Sequence, residues 1–263
     1  MRYRATAGAL AAAAVSLWAA PRGTLLEDLT WVEAEKVLKS DTVVVIPLGA
    51  ESKEHGPHLK LKNDFLMAEY LKRVMLDRAD VVVAPTLNCG YYPAFLDYPG
   101  STSLRLETSR DMVVDICRTL AHFGPKRFYV LNTCVSTMSA LRPAGDILAK
   151  DGIILRYTDI LAVSEAAEKA VRQSEGGTHA DEIETSIMLY IAPDSVDMSK
   201  AVKDYHPGPG ALSRDPKTRS TYSASGIYGD PTLATRAKGE KIVGAMIEGI
   251  LGEIEALRRT PVR

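Results

Sequence analysis

Two consecutive segments decide the fold, and they read Thr42-Val-Val-Val-Ile46 and Pro47-Leu-Gly-Ala-Glu-Ser-Lys-Glu54-His55-Gly-Pro-His58-Leu-Lys-Leu-Lys-Asn-Asp64. The first is a β-branched run of the kind that forms a strand buried on both faces of a parallel sheet. The second begins where that strand ends, which is where open α/β sheets bind ligands. Pro57 keeps Gly56 out of helical geometry, so an irregular turn positions His55 and His58. Imidazole and carboxylate groups crowd this turn, and together they suit zinc, manganese or iron.

The remainder of the chain alternates strand-like and helix-like segments, which is typical of a doubly wound sheet. We predict further strands over 80–85, 127–132 and 152–157. We predict helices over 64–75, beginning at Asn63 or Asp64, and over 109–123, capped by Ser109 with Cys117 on its core face. Two later helices carry apolar residues at helical spacing, namely Ile183, Ile187 and Ile191, and then Ile242, Met246 and Ile250. The predicted fold class is α/β, a single-domain three-layer α/β/α architecture with a mostly parallel sheet.

Length and charge fit one enzyme domain that acts on small molecules. The 263 residues can bury a substantial core within a single α/β unit. Lys plus Arg (32) nearly balances Asp plus Glu (33), and basic residues form no block or aromatic-basic pattern. This balance argues against nucleic acid as a partner, because nucleic-acid binding needs a concentrated basic surface. A small-molecule substrate is therefore the predicted partner.

The N-terminal segment differs from the domain that follows it. A short basic start, Met1-Arg-Tyr-Arg4, precedes an Ala/Leu/Val-rich stretch over 5–20. This pattern is typical of a secretory signal, and the apolar part is shorter than the roughly 20 residues that a spanning helix needs. We predict residues 1–20 as a signal peptide and 21–263 as the hydrolase domain of an exported, periplasmic or secreted protein. The alternatives are a helix that packs on the domain and an uncleaved anchor, and without a signal the protein would be cytoplasmic.

The cysteines do not encode a disulfide framework. Cys89, Cys117 and Cys134 are three in number, so at most one internal disulfide can form and one thiol stays unpaired.

The segment after the first strand resembles the motif of the creatininase family of metal-dependent amidohydrolases, which runs approximately Pro-x-Gly-x-x-Glu-x-His-Gly-x-His-x-Pro-x-x-x-Asp. Two later segments also resemble family patterns, Pro99-Gly-Ser-Thr-Ser-Leu104 and the stretch from Ser225 that contains Gly-Asp-Pro. The similarity extends from about residue 25 to 255, nearly the whole predicted mature chain. It implies a creatininase-like fold, a divalent metal, and a homo-oligomeric assembly.

Within the motif, the resemblance implies a set of metal ligands. His55, His58 and Asp64 fall in the family's order and spacing, but the stretch from Gly49 to His55 is one residue longer. The family's first metal-binding glutamate therefore aligns with Lys53. Either Glu54 or Glu51 could supply that carboxylate if the loop bulges, and Glu54 is favoured.

The third predicted strand departs from the family pattern at its end. The position of the family's ligand histidine holds Cys134, and a position that holds a metal-binding glutamate in some members holds Ser136. A cysteine thiolate binds zinc well, so the site could still close with one or two ions, of which zinc fits best. The alternative is that Cys134 is a small buried residue at a strand end.

The segment Thr178-His-Ala-Asp-Glu-Ile-Glu-Thr-Ser186 resembles the family's His-Ala-Gly-Glu-x-Glu-Thr-Ser segment. The family associates this histidine with proton transfer, so His179 is a candidate catalytic residue. His179 and Glu182 are one turn apart and share a face, so both can point at the same site, and Glu182 could replace the carboxylate that is missing at Ser136. Glu184 would then point elsewhere.

The predicted function is hydrolysis of a non-peptide C–N bond, in a cyclic amide or formamide, by a metal-dependent amidohydrolase. A lactone or other ester would use the same groups. The competing hypothesis is an exported, non-catalytic binding protein or inactive relative whose metal site has degraded, for which Lys53, Cys134 and Ser136 are the evidence.

Overall fold

The computed structural model describes residues 21–262, and the predicted signal peptide lies outside the described residues. Within this range the strands are β1 (Thr24–Leu25), β2 (Val43–Leu48), β3 (Val82–Val83), β4 (Arg127–Asn132), β5 (Ile154–Tyr157), β6 (Leu212–Ser213) and β7 (Thr221–Tyr222). The helices are α1 (Trp31–Val37), α2 (Asn63–Arg78), α3 (Leu106–Ala121), α4 (Met138–Ala149), α5 (Glu165–Val171), α6 (Glu182–Ile191) and α7 (Arg236–Arg259).

The main sheet has five parallel strands in the order β1-β3-β2-β4-β5. The central pair, β2 and β4, runs in register over six residues, from Val43 opposite Arg127 to Leu48 opposite Asn132. A separate pair, β6 and β7, is also parallel. The prediction of a mostly parallel sheet is confirmed.

Alternate residues of β2 enter two different cores, which places a helical layer on each face of the sheet. Val43 and Val45 pack with α2, α6 and α7, whereas Val44 and Ile46 pack with α3 and α4. All four side chains are fully buried. Each such branched side chain contributes about 1.5–3 kcal/mol through the apolar surface it removes from water. This burial explains why the strand reads as a continuous β-branched run.

Several element boundaries differ from the predicted ones. The strand predicted over 80–85 is confined to Val82–Val83, because Pro85 lacks the N–H that would continue the ladder. Helix α3 begins at Leu106, so Ser109 lies inside the first turn and its N–H already bonds the Arg105 carbonyl. Helix α4, which contains Pro143, is not among the predicted helices. Cys117 is fully buried in the core, as predicted.

The last helix closes one face of the sheet. Helix α7 spans 24 residues and buries Ile242, Met246 and Ile250, the residues that predicted it. Among residues 21–262, none of the helices combines the length and the apolar character that a membrane crossing requires.

Candidate metal centre

The centre lies at the carboxyl edge of the sheet, where β2 and β4 end side by side. Leu48 and Asn132 are register partners, so the segments that follow them start at the same level. Gly49 then permits a close approach to α2, because a Cβ at this position would lie 2.3 Å from the Asp64 carbonyl oxygen. The sheet therefore brings the loop 49–62, the first turn of α2 and residues 133–136 together.

His55 and Asp64 form the buried base of the centre. His55 Nε2 lies 2.8 Å from Asp64 Oδ1, and His55 Nδ1 lies 2.9 Å from the Lys53 carbonyl oxygen. Burial and the Lys53 charge lower the pKa of His55, but the carboxylates of Asp64 and Glu184 outweigh them and raise it to about 9. Both ring nitrogens face oxygen acceptors, an arrangement that favours a proton on each. A metal that binds Nε2 must displace one of them.

Lys53 brings a second cation into the same base. Its side chain is only 3% exposed, and Nζ lies 2.7 Å from Asp64 Oδ2 and 3.4 Å from Cys134 Sγ. The ammonium also lies over the Phe95 ring, 4.7 Å from its centroid. Burial lowers the pKa of Lys53, but the neighbouring Asp64 outweighs it and holds the pKa above its ordinary value.

His179 lies in the same centre and has a carboxylate partner, Glu54. His179 Nε2 lies 3.1 Å from Glu54 Oε2, and the other Glu54 oxygen accepts a hydrogen bond from the Gly56 N–H. Gly226, at φ +84°, is packed so closely that a Cβ would overlap the Glu54 carboxylate. The Phe95 ring lies 4.3 Å from the His179 ring, centroid to centroid, and shields it. The structure thus brings Glu54 beside His179.

Glu184 places a carboxylate between the two histidines. It lies 3.4 Å from His55 Nε2 and 3.8 Å from His179 Nδ1. Asn63 Nδ2 and the Ala180 N–H donate to the two Glu184 oxygens at 2.9 and 2.6 Å. Burial alone would raise the pKa of Glu184, but His55 and the other cations hold it far below its ordinary value.

The start of α6 explains why Glu184, rather than Glu182, enters the centre. Asp181 is the N-cap and accepts from the N–H groups of Ile183 and Glu184, while Ala180 has φ +48°. His179 therefore precedes the helix and does not share a helical face with Glu182. The third helical residue, Glu184, folds back over the helix start and accepts from the N–H of Ala180, the residue before the N-cap.

Glu182 lies elsewhere, and the prediction that it shares the site with His179 is corrected. Its carboxylate pairs with Lys238 and accepts from the N–H groups of Gln173 and Ser174. Burial raises the pKa of Glu182, but these hydrogen bonds outweigh it and lower the value. Glu182 therefore anchors the segment before α6 and the start of α7.

Three other predicted ligands take different positions. Glu51 is exposed and accepts from Asn88 Nδ2 at 2.9 Å, away from the histidines. His58 is buried with Nε2 2.8 Å from Thr185 Oγ1, and burial lowers its pKa to about 4. Cys134 does face the centre, but its sulfur contacts the Lys53 ammonium, and burial raises the pKa of the thiol despite that charge.

The sequence interpretation missed Lys53 and Glu184 as members of the centre. The spacing Asp181-x-x-Glu184 is a capping-box signal that could have identified Glu184. The motif placed Lys53 at a ligand position, but it did not indicate that the lysine side chain points into the centre.

The donor set fits one divalent metal ion. One ligand atom from each of His55, His179 and Glu184 lies within 4.8 Å of the others. Two imidazoles and one glutamate are the protein ligands of several catalytic zinc sites. Lys53, His179 and Glu184 also line a cavity of about 360 Å³, which is in the size range of small-molecule sites.

Comparison with known proteins decides the family. The family profile for creatininase, described as creatinine amidohydrolase, matches residues 27–254. The chain belongs to the creatininase family. Membership confirms the predicted fold and the predicted class of enzyme, an amidohydrolase of a family that uses divalent metals.

Members of the creatininase family cover most of this chain. The creatinine amidohydrolase of Pseudomonas putida is 27% identical over 254 residues, which are 89% of this chain and 96% of that protein. The mycofactocin precursor peptide peptidase of Mycolicibacterium smegmatis is 27% identical over 223 residues, 81% of this chain and 84% of that protein. A solved creatininase variant of the Zn-Zn type matches with a TM-score of 0.71 at 27% identity, covering 90% of this chain and 98% of that one.

Proposed function

We propose that this creatininase-family protein hydrolyses a non-peptide C–N bond in a small cyclic amide or formamide, with one divalent metal ion held by His55, His179 and Glu184. Zinc is the proposed ion, and manganese or iron would suit the same donors. The observation that carries the proposal is the convergence of these three ligand atoms beside the cavity, which His179 and Glu184 line.

The second contact of each histidine supports this ligand set. Metal-bound histidines commonly donate their other ring N–H to a carbonyl or a carboxylate, which fixes the ring. His55 Nδ1 faces the Lys53 carbonyl while Nε2 faces the centre. His179 Nε2 faces the Glu54 carboxylate while Nδ1 faces Glu184. In this arrangement Glu54 orients His179 instead of serving as a ligand.

The side chains supply positioning, shielding and proton transfer. A bound divalent metal supplies Lewis acidity toward a carbonyl oxygen and lowers the pKa of water. Asn63 and the Ala180 N–H hold the Glu184 carboxylate in place, and Phe95 covers His179. Glu54 lies 3.1 Å from His179 Nε2 and is not one of the three proposed ligands, so we assign to this carboxylate the transfer of a proton to the leaving nitrogen.

The size of the cavity supports a small substrate. A volume of about 360 Å³ lies near the lower end of the range for ligand pockets, which is roughly 300–1,000 Å³. An extended peptide would need a longer groove, although one relative carries the name of a peptide peptidase.

The proposal is tested by metal content and hydrolysis measured on the same preparations. Wild-type protein and the variants His55→Ala, His179→Ala and Glu184→Gln are assayed with cyclic amides, formamides, lactones and short peptides, before and after chelation. His122→Ala, which alters an exposed histidine, is the matched control.

The proposal predicts that chelation and each site variant reduce metal content and amide hydrolysis together, while His122→Ala changes neither. Hydrolysis of lactones alone would replace the amidohydrolase proposal with an esterase. Ligand binding without metal or turnover would favour the non-catalytic relative.

Export and assembly are proposed separately. Residues 1–20 support an exported, periplasmic or secreted protein, and family resemblance supports a homo-oligomer. Light scattering of the purified protein tests the assembly.

A further inference from the structure

The Lys53 ammonium occupies a position that a metal-binding carboxylate would otherwise serve. By the resemblance to the family motif, Lys53 stands at the position of the first metal-binding glutamate and Cys134 at that of a ligand histidine. In the structure these two side chains contact each other, with Nζ 3.4 Å from Sγ. Both are buried at the same edge of the sheet as His55.

Asp64 connects this ammonium to His55 in the manner of a bridging carboxylate. One oxygen, Oδ1, lies 2.8 Å from His55 Nε2, and the other, Oδ2, lies 2.7 Å from Lys53 Nζ. The carboxylate is fully buried, with one oxygen beside the His55 ring and the other beside the Lys53 ammonium.

We propose that Lys53 replaces the second metal ion of a two-metal centre with a permanent ammonium group, so that the protein binds one divalent ion per chain. The inference rests on the proposed function, since it assumes that His55, His179 and Glu184 hold the first ion. It also gives Lys53 a role in the cavity, where one N–H beyond those directed at Asp64 and Cys134 binds a substrate oxygen.

The ammonium already occupies one side of Asp64 Oδ2, so a second ion at this oxygen would have to bind close beside it. A zinc ion would lie about 2.0–2.2 Å from a carboxylate oxygen, and Nζ already lies 2.7 Å from that atom. Two cations so close would repel strongly in a buried site. Phe95 and Tyr92 enclose the ammonium, with ring centroids at 4.7 and 5.8 Å. Lys53 therefore cannot leave without opening the packing around it.

The test counts Zn²⁺ ions per chain. Chelated wild-type protein is titrated with ZnCl₂ by calorimetry, and the zinc retained after gel filtration is measured by mass spectrometry. The variant K53E/C134H/S136E restores the family's ligand types. Lys53→Met, which removes the charge without adding a ligand, is the matched control, and circular dichroism verifies that each variant is folded.

We expect one equivalent of zinc in the wild type and in Lys53→Met, and two in the triple variant. We also expect Lys53→Met to raise KM at least 10-fold while it keeps its single ion. Two tightly bound equivalents in wild-type protein would overturn the inference and leave the proposed function intact, and this count needs no variant. Two equivalents in Lys53→Met would show that the ammonium alone keeps the second ion out, and that the missing carboxylate is not needed to explain its exclusion. No zinc in the wild type but one ion in the triple variant would refute the proposed function and support exclusion by Lys53.

Discussion

Two glutamates on α6, only two residues apart, should respond to the same substitution in opposite ways. Glu184→Gln removes a charge from the centre, whereas Glu182→Gln removes a charge from a buried pair with Lys238. The two changes are isosteric and both lie in the first turn of the helix. They therefore separate catalysis from stability with minimal change in shape.

For Glu184→Gln we expect the larger loss in metal affinity and a smaller loss of stability, because His55 keeps Asp64 as a partner. The glutamine amide oxygen can still accept from the Ala180 N–H, so the start of α6 is kept. Loss of an outer-shell partner typically costs about 10–100-fold in metal affinity, and loss of a direct ligand should cost at least about 100-fold. Hydrolysis should fall by a similar factor at limiting zinc.

For Glu182→Gln we expect the reverse. Its side chain is fully buried against Lys238, and breaking a buried ion pair costs about 3–5 kcal/mol. At about 2–4 °C of Tm per kcal/mol for a domain of this size, Tm should drop by about 6–20 °C. Zinc affinity should change by less than about threefold, because the carboxylate contacts neither histidine.

The pH dependence of unfolding provides an internal check. The pKa of Glu182 is lowered from its ordinary value of 4.5, because hydrogen bonds from Lys238 and two backbone N–H groups outweigh its burial. A carboxyl group of this kind stabilises the folded state above its ordinary pKa and loses that contribution as the pH falls. The stability difference between wild type and Glu182→Gln should therefore narrow below about pH 4.5.

Calorimetric unfolding and competitive zinc titration on both variants test the roles assigned to Glu182 and Glu184. If Glu182→Gln lost zinc at unchanged Tm while Glu184→Gln bound zinc normally, the assignment of the two carboxylates would be refuted.

Three further predictions follow from individual residues. Cys134→Ser should leave the zinc stoichiometry unchanged, since the sulfur contacts Lys53, and zinc analysis measures this. Cys117→Ser should lower the unfolding free energy by about 1–3 kcal/mol, because it buries a hydroxyl in an apolar core, and denaturant unfolding measures this effect. Burial lowers the pKa of His58 to about 4, so between pH 6.5 and 4 the unfolded chain binds a proton that the folded chain excludes. Wild type should therefore lose stability as the pH falls through this range, and His58→Gln should reduce that loss. Protein recovered from the native host should lack residues 1–20, and mass-spectrometric detection of intact Met1 on soluble cytoplasmic protein would contradict export.

The sequence predicted the fold well because periodicity is a local property of the chain. Strand β4 matches its predicted span, 127–132, and the helix predicted from residue 64 begins at Asn63. The predicted elements differ from the observed ones where a proline interrupts the pattern. The strand predicted over 80–85 ends before Pro85, and helix α4, which contains Pro143, is not predicted.

The centre was only partly predictable, because side-chain direction depends on backbone conformations that spacing does not reveal. His55 and Asp64 are both predicted as metal ligands, and the structure brings them into contact because one loop connects them. Glu184 was assigned to the wrong direction because the helix was extended back to His179, whereas Ala180 adopts φ +48° and ends that periodicity. The sequence shows Lys53 as a departure from the family's ligand pattern, but it does not predict a buried lysine, since lysine is almost never fully buried unless it is paired.

The exchange of a glutamate for Lys53 has a simple electrostatic consequence. Replacing a carboxylate by an ammonium adds two positive charges to the centre, which is the charge that one divalent ion would bring. The Asp64 carboxylate then faces the Lys53 ammonium at 2.7 Å, so it is paired with a cation that belongs to the protein itself. A buried site tolerates charges only when they are paired, and this pair therefore allows the fold to keep its acidic base with one metal ion fewer. Lys53 and Cys134 are best understood as a matched substitution, in which the ammonium replaces the ion and the neutral thiol replaces a ligand that the ion no longer needs.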